Sequence, residues 1–507
     1  MAAAVTMAAS GCSTGPGAAT PDPTSQAAAT RPPQGQEALA SFYEQKLSWS
    51  DCATPNAPDA QCADVSVPLD YAKPTGGSTK LRMLKVPASS GKATNGAMLV
   101  NPGGPGGSAV DYAAAADLIV TSDVRRTFDL VGVDPRGVGH STPITCIDAA
   151  EMDDMIGLDP TPDDQAEDDA LRDQARAFGK ACLTKYPQLL PHVSTLDAAK
   201  DMDIARATLA SPKLNYLGKS YGTFLGATYA GLFPANVGRF VLDGAIAPDL
   251  TNDEVNLGQA EGFERATRAY VKHCIAEGDC PLGADEERAM SRLREFLRDV
   301  DARPLPVSDG AGVSKLTEGW ASTGLAQAMY SQELWDGLTD ALRNGLKGDG
   351  TTLFNLAEQY AGREDGRYTS NIMQVISAVN CLDRGSKPAD LATMEAKEKQ
   401  FAAKAPTWGP FMAWGSSTCE TWPVPPVDRP EKITAAGSGP IVVVGTTRDP
   451  ATPYEWAQRL ASELENGHLV TRDGDGHTGY VMGNTCVDRA VDAYLLQGKT
   501  PAANTSC

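Results

Sequence analysis

The stretch Leu214-Asn-Tyr-Leu-Gly218-Lys-Ser220-Tyr-Gly222 constrains the fold of this chain most. A short apolar run with strand character ends in a glycine and passes, through a single serine, into a helix-like run. Glycine on both sides of Ser220 permits a turn too sharp for larger residues, and such a strand–turn–helix lifts a serine hydroxyl above the end of its strand. The helix that follows leaves unpaired backbone N–H groups at its first turn. A plain βα turn with an incidental serine fits the same string, so the surroundings have to decide. Short apolar runs recur at 64–68, 80–86, 97–100, 128–134 and 239–243, with helical spacing at 198–209. Short strands alternating with helices predict a mostly parallel α/β sheet.

The pattern changes after Pro248. As far as Pro426 helical spacing dominates, most clearly at 288–300 and 334–346, and strand character returns at 441–445 and 467–471. We therefore expect a sheet core over 37–248, a helical cap inserted over 249–426, and the core resumed over 427–507. No repeat of fixed period occurs, which excludes a solenoid.

Composition narrows the function classes. The 507 residues hold 44 Lys and Arg against 64 Asp and Glu, a net charge of −20. Such an excess of carboxylates argues against nucleic acid or an anionic membrane surface as partner. No run of 18 apolar residues is long enough to cross a bilayer. None of the eleven cysteines is arranged as CxxC, so neither a zinc ribbon nor a thioredoxin site is indicated. No cofactor or metal constellation is visible.

Residues 1–36 read as a signal remnant and linker. Ala9-Ser-Gly-Cys12 resembles the lipobox of bacterial lipoproteins, in which the cysteine is lipidated, although Ala9 stands where a larger aliphatic residue is usual and no Lys or Arg precedes Arg31. The Pro- and Ala-rich stretch after it cannot bury a core and suits a tether between membrane and enzyme. With Cys12 set aside, ten cysteines remain, an even number that fits an oxidising compartment. Proximity in sequence favours Cys52 with Cys62, Cys274 with Cys280 and Cys486 with Cys507, leaving Cys146 with Cys182 and Cys381 with Cys419. Other pairings, and buried free thiols, remain open on sequence alone.

A serine at neutral pH needs a base, and the chain offers five histidines. His477 lies in Gly474-Asp-Gly-His-Thr-Gly479, directly after the last predicted strand, where catalytic loops of open α/β sheets belong. His140, in an early core loop, is its one serious competitor. Asp449, in the loop after the strand at 441–445, suits the carboxylate that orients the imidazole. The order Ser220, Asp449, His477 is that of α/β-hydrolases.

Asn101-Pro-Gly-Gly-Pro-Gly-Gly-Ser108 invites comparison with a phosphate loop, but Pro102 and Pro105 lack N–H groups and no GK[ST] lysine follows. Its place after an early strand suits an oxyanion hole instead, with the amide of Gly103 or Gly104 acting beside that of Tyr221. The loop Asp134-Pro-Arg136-Gly-Val-Gly-His140-Ser141 reads as a structural turn supported by Arg136.

Taken in order, NPGGPGGS, GVDPRGVGHS, GKSYG, TTRDPATP and GDGHTGY resemble the actinobacterial secreted tripeptidyl aminopeptidases, which group with the proline-iminopeptidase-like α/β-hydrolases. The resemblance spans residues 50–507. It implies Ser220, Asp449 and His477 as the triad and Gly104 with Tyr221 as the oxyanion hole. Asn101-Pro102 stands where proline iminopeptidases carry histidine before GGPG, so strict proline specificity is not implied. The expected function is a monomeric cell-envelope serine hydrolase releasing tripeptides from a peptide or protein with a free N-terminus, touching the membrane only through a lipid anchor. Two rivals are a carboxylesterase or lipase acting on envelope esters and a non-catalytic solute-binding lipoprotein. A free α-ammonium leaving water needs a carboxylate. Glu254, Glu261 and Glu264 share one helical stretch of the cap, and of the cap acids Glu264 and Asp383 are the expected anchor.

Overall fold

The computed structural model describes residues 31–430, 432–503 and 505–507, so Cys12 and most of the expected linker lie outside the described residues. Ten strands form the main sheet: β1 (Ser50–Asp51), β2 (Gln61–Pro68), β3 (Ser78–Val86), β4 (Ala97–Asn101), β5 (Asp129–Val133), β6 (Leu214–Lys219), β7 (Val237–Asp243), β8 (Ile441–Arg448), β9 (Gly467–Asp475) and β10 (Thr505–Ser506). Their spatial order is β1-β2-β3-β5-β4-β6-β7-β8-β9-β10. β1, β2 and β3 pair antiparallel, as does β3 with β5, and every pairing from β5 to β10 is parallel. The seven parallel strands end on the same side, and that common edge carries the loops of interest.

Alternation along the strands sorts side chains into two cores. Leu81, Met83, Val131, Phe240 and Leu242 face one layer, packed by α2 (Thr195–Thr208) and α3 (Tyr221–Leu232). Leu84, Leu130, Val241, Val442 and Val444 face the other, packed by α1 (Ala109–Ala114) and α7 (Thr485–Gln497). Successive side chains of a strand point to opposite faces, which produces this division.

Between β7 and β8 the chain is helical, apart from two hairpins of two-residue strands. It includes α4 (Asn252–Glu277), α5 (Glu318–Met329) and α6 (Ile372–Asp383). Phe263, Tyr270, Leu293, Trp320 and Trp408 give this region a core of its own, which also takes in Ala451 from the loop after β8. We propose that 249–426 is a cap over the carboxyl edge of the sheet, on the support of this separate core and of the contacts described below.

The cysteines other than Cys12 are brought together as Cys52–Cys62, Cys146–Cys182, Cys274–Cys280, Cys381–Cys419 and Cys486–Cys507. The closed loops differ in length, from a separation of 6 residues for Cys274–Cys280 to 38 for Cys381–Cys419. On chain entropy alone, the longer loop removes about 4 kcal/mol of unfolded-state freedom and the shorter about 2 kcal/mol. Replacing Cys381 and Cys419 by alanine should therefore cost more than replacing Cys274 and Cys280, as read by urea unfolding of the non-reduced proteins. Equal costs would sink the loop-length argument.

Candidate active site

β6 ends at Lys219 and α3 begins at Tyr221, leaving Ser220 alone between them at φ 56°, ψ −127°. An L-residue holds that conformation only under constraint. The constraint is close packing: a Cβ on Gly218 would lie 2.4 Å from the Gly222 carbonyl oxygen and 2.5 Å from the Tyr216 ring. A Cβ on Gly222 would meet Asn101 Oδ1 at 2.8 Å. Tyr216 donates to the Gly222 carbonyl at 2.7 Å, and the Ser220 amide donates to the Asp243 carbonyl at 2.9 Å.

Asn101, the last residue of β4, organises the neighbouring glycine loop. Its Oδ1 accepts the Gly103 amide at 3.0 Å. That bond removes Gly103 from the two donors the sequence left open, and Gly104 is the one remaining. The loop lies against the serine turn: a Cβ on Gly103 would be 2.8 Å from Ser220 Cβ and 3.0 Å from the Tyr221 amide nitrogen. As the first helical residue, Tyr221 has an N–H without an intrahelical acceptor.

Asp449, at the end of β8, is fully buried. Oδ1 accepts the amides of Ala451 at 3.0 Å and Thr452 at 2.8 Å, while Oδ2 accepts the Thr452 hydroxyl at 3.0 Å and the Thr478 amide at 3.0 Å. Both oxygens lie 2.9 Å from His477 Nδ1. These five contacts fix the carboxylate and hold the imidazole through its Nδ1 edge. The other nitrogen, Nε2, is buried without a hydrogen-bond partner. A buried polar atom left unpaired marks a place for an absent group or for proton transfer.

The dipeptide Asp243-Gly244 touches both Ser220 and His477. The Asp243 carbonyl holds the serine amide, and a Cβ on the next residue, Gly244, would be 3.3 Å from His477 Cε1. The helical insertion closes the histidine loop from above. The His477 amide donates to the Tyr330 carbonyl at 2.9 Å, and the two rings meet edge-on at 5.3 Å. α4 approaches from the side, so closely that a Cβ on Gly262 would be 2.4 Å from the Pro450 carbonyl oxygen.

The other expected site residues lie elsewhere. Glu264 is buried and accepts the Thr407 amide at 2.8 Å and its hydroxyl at 3.3 Å. Asp383 is buried and accepts the Thr195 amide at 2.9 Å and hydroxyl at 2.5 Å, and that hydroxyl also lies 2.5 Å from the Tyr221 phenol. Among the described residues no hydrogen bond, ion pair or shared partner joins Glu264 to Asp383. Glu254 closes a capping box with Thr251, and Glu261 faces Lys404 at 3.7 Å. His140 pairs with Asp111 at 3.2 Å on the surface, with half of its side chain exposed. Arg136 is buried and grips Asp201 through two bonds of 2.8 and 2.7 Å, so its loop is a structural turn.

Sequence reasoning missed Thr452, Tyr330 and Asp243. The Asp-x-x-Thr spacing was a usable signal for Thr452, since aspartate commonly accepts from amides two and three residues on. Tyr330 and Asp243 act over long separations and left no local signature. Asp159, Asp301 and Glu318 are the one carboxylate group close enough to hold a metal ion among the described residues. Burial pushes Glu318 up to about 8 and Asp301 up to about 6, and the neighbouring carboxylates add to both rises.

Strand order, chain order and site geometry together define an α/β-hydrolase. Comparison with known proteins refines this. The family model of TAP-like proteins matches residues 405–507. Serine protease Hip1 of Mycobacterium tuberculosis is 37% identical over 485 residues, covering 91% of each chain. Carboxylesterase B of the same organism is 39% identical over 498 residues, covering 95% of this chain and 93% of its own. The tripeptidyl aminopeptidase of Streptomyces lividans is 34% identical over 472 residues, covering 91% of this chain and 86% of its own. The chain belongs to this family of TAP-like serine proteases and tripeptidyl aminopeptidases.

Burial pushes Asp383 up to about 6, against the pull of its bonds from Thr195 and the charges of Arg384 and Arg429. A carboxyl raised in the folded state favours folding below its unfolded value, and that contribution is lost as pH rises through about 6. Asp383→Asn mimics the protonated form. The variant's stability relative to wild type should therefore rise by about 2–3 kcal/mol between pH 4 and pH 7. Urea unfolding across that range checks it, and a flat difference would refute the burial argument.

Proposed function

We propose that Ser220, Asp449 and His477 are a catalytic triad and that the enzyme releases short N-terminal peptides, tripeptides in particular, through an acyl-enzyme. The observation that carries this reading is the unpartnered, buried Nε2 of His477, on a ring fixed by Asp449 and lying over the dipeptide that holds Ser220. In the first step Ser220 Oγ attacks the scissile carbonyl and its proton passes to His477 Nε2. Asp449 stabilises the imidazolium through Nδ1. The tetrahedral oxyanion takes hydrogen bonds from the amides of Gly104 and Tyr221. His477 then returns the proton to the departing amine, and water repeats the sequence to free the acyl group.

The peptidase reading is supported by the names of two relatives and by the carboxylates of the cap. We keep Glu264 and Asp383 as ammonium anchors. Glu264 lies two residues beyond Gly262, where α4 touches the Asp449 loop. Each carboxylate has both oxygens held by one threonine, Glu264 by Thr407 and Asp383 by Thr195. The second reading, an esterase, rests on the relative named carboxylesterase B. Five disulfides support export, and lipidation of Cys12 would tether the enzyme, as a monomer, to the envelope.

Ser220→Ala and His477→Ala should each lower kcat by about 10⁴–10⁶-fold without changing the circular dichroism spectrum, and Asp449→Asn by somewhat less. Near-native turnover in any of the three would remove that residue from the triad.

Specificity is read by comparing kcat/KM for free and N-blocked tripeptide amides, and a preference for the blocked form would favour the esterase. Glu264→Gln should cost about 1.5–3 kcal/mol on the free peptide alone, the range of a charge-assisted hydrogen bond. Equal losses on a simple ester would place the anchor elsewhere.

A further inference from the structure

The pair of buried Asp243 and partly buried Lys219 carries an inference beyond the triad, although it rests on that reading. Asp243 ends β7, and its side chain is wholly buried. Its carboxylate accepts the Gly479 amide at 2.7 Å and the Tyr480 amide at 3.0 Å, the residues just after His477 and Thr478. Its own carbonyl accepts the Ser220 amide at 2.9 Å. Lys219, the residue before Ser220, sends its ammonium 2.8 Å to the Tyr480 carbonyl and 3.6 Å to Asp243 Oδ2. One carboxylate and one ammonium thus bridge the serine turn and the histidine loop.

We propose that Asp243 and Lys219 are positioning residues that set the distance between Ser220 and His477. The histidine loop has other supports: Thr446 donates to the Thr478 carbonyl at 2.8 Å, and Arg472 reaches the same oxygen at 3.2 Å. They come from β8 and β9, and neither hydrogen-bonds to the serine turn. Among the described residues, the hydrogen bonds that tie the loop to that turn run through Asp243 and Lys219. The neighbouring Gly244 adds a steric stop, since a Cβ there would be 3.0 Å from Thr478 Cγ2 as well as 3.3 Å from the imidazole.

A structure that merely needs this pair to fold would lose active molecules. One that uses it for alignment keeps every molecule reactive and slows each. Asp243→Asn and Lys219→Met are therefore titrated with a fluorophosphonate, alongside kcat and KM on a peptide substrate and thermal unfolding. Both variants should label to full stoichiometry, with the labelling rate and kcat each reduced about 10- to 100-fold and KM within about twofold, the size of effect expected from an ångström-scale misplacement. Unchanged rates would overturn the proposal. So would reduced stoichiometry with the remaining molecules reacting at the wild-type rate. Should Asp243→Asn fail to fold, Lys219→Met decides by the same criteria. Labelling that survives in Ser220→Ala would overturn the triad itself, a result separable from either outcome at Asp243.

Discussion

Ser220 occupies backbone space that costs an L-residue about 1–3 kcal/mol, and the arrangement of the site depends on keeping it there. The strain is offset by contacts a looser turn would not make. Gly218 and Gly222 let β6 and α3 approach until only hydrogen atoms fit, Tyr216 ties down the first turn of the helix, and Asn101 fills the space a side chain at 222 would take. Because β6 lies inside the run of parallel strands, its turn is flanked by the ends of β4 and β7, with β8 and β9 beyond. The glycine loop, the aspartate and the histidine all leave from those ends.

Carboxylates do much of the fastening. In a chain of net charge −20, those that go inside are met by donors arranged for them. Asp449 collects amides, a hydroxyl and the imidazole. Asp134 takes Ser108 and the amides of Val110 and His140, which fixes the glycine loop against its neighbour. Asp203 collects the phenols of Tyr43 and Tyr229 with Arg206. Removing one partner from such a set leaves a desolvated charge, so these groups specify geometry more than they add net stability.

The helical insertion is a working wall of the site. Tyr330 holds the histidine backbone and its ring, α4 presses on the aspartate loop, and Ala451 packs into the core of the insertion. A shift of this region would disturb the His477 and Asp449 loops together.

Local pattern carried a great deal of this protein. Short apolar runs located the strands within a few residues, because strands covered on both faces stay apolar along their length. The glycines around Ser220 announced the turn, because no other residue tolerates such close backbone approach. The aspartate and histidine loops were legible because each directly follows an apolar strand. What tertiary structure decided was everything acting across the chain: that Asn101 takes the Gly103 amide, that Asp243 and Lys219 bridge two loops, that Tyr330 backs the histidine, and that Glu264 and Asp383 each settle on a threonine. A hydrogen-bond donor or acceptor has no preferred partner in sequence. Its partner is chosen only when packing removes water and brings the nearest complementary group within about 3 Å.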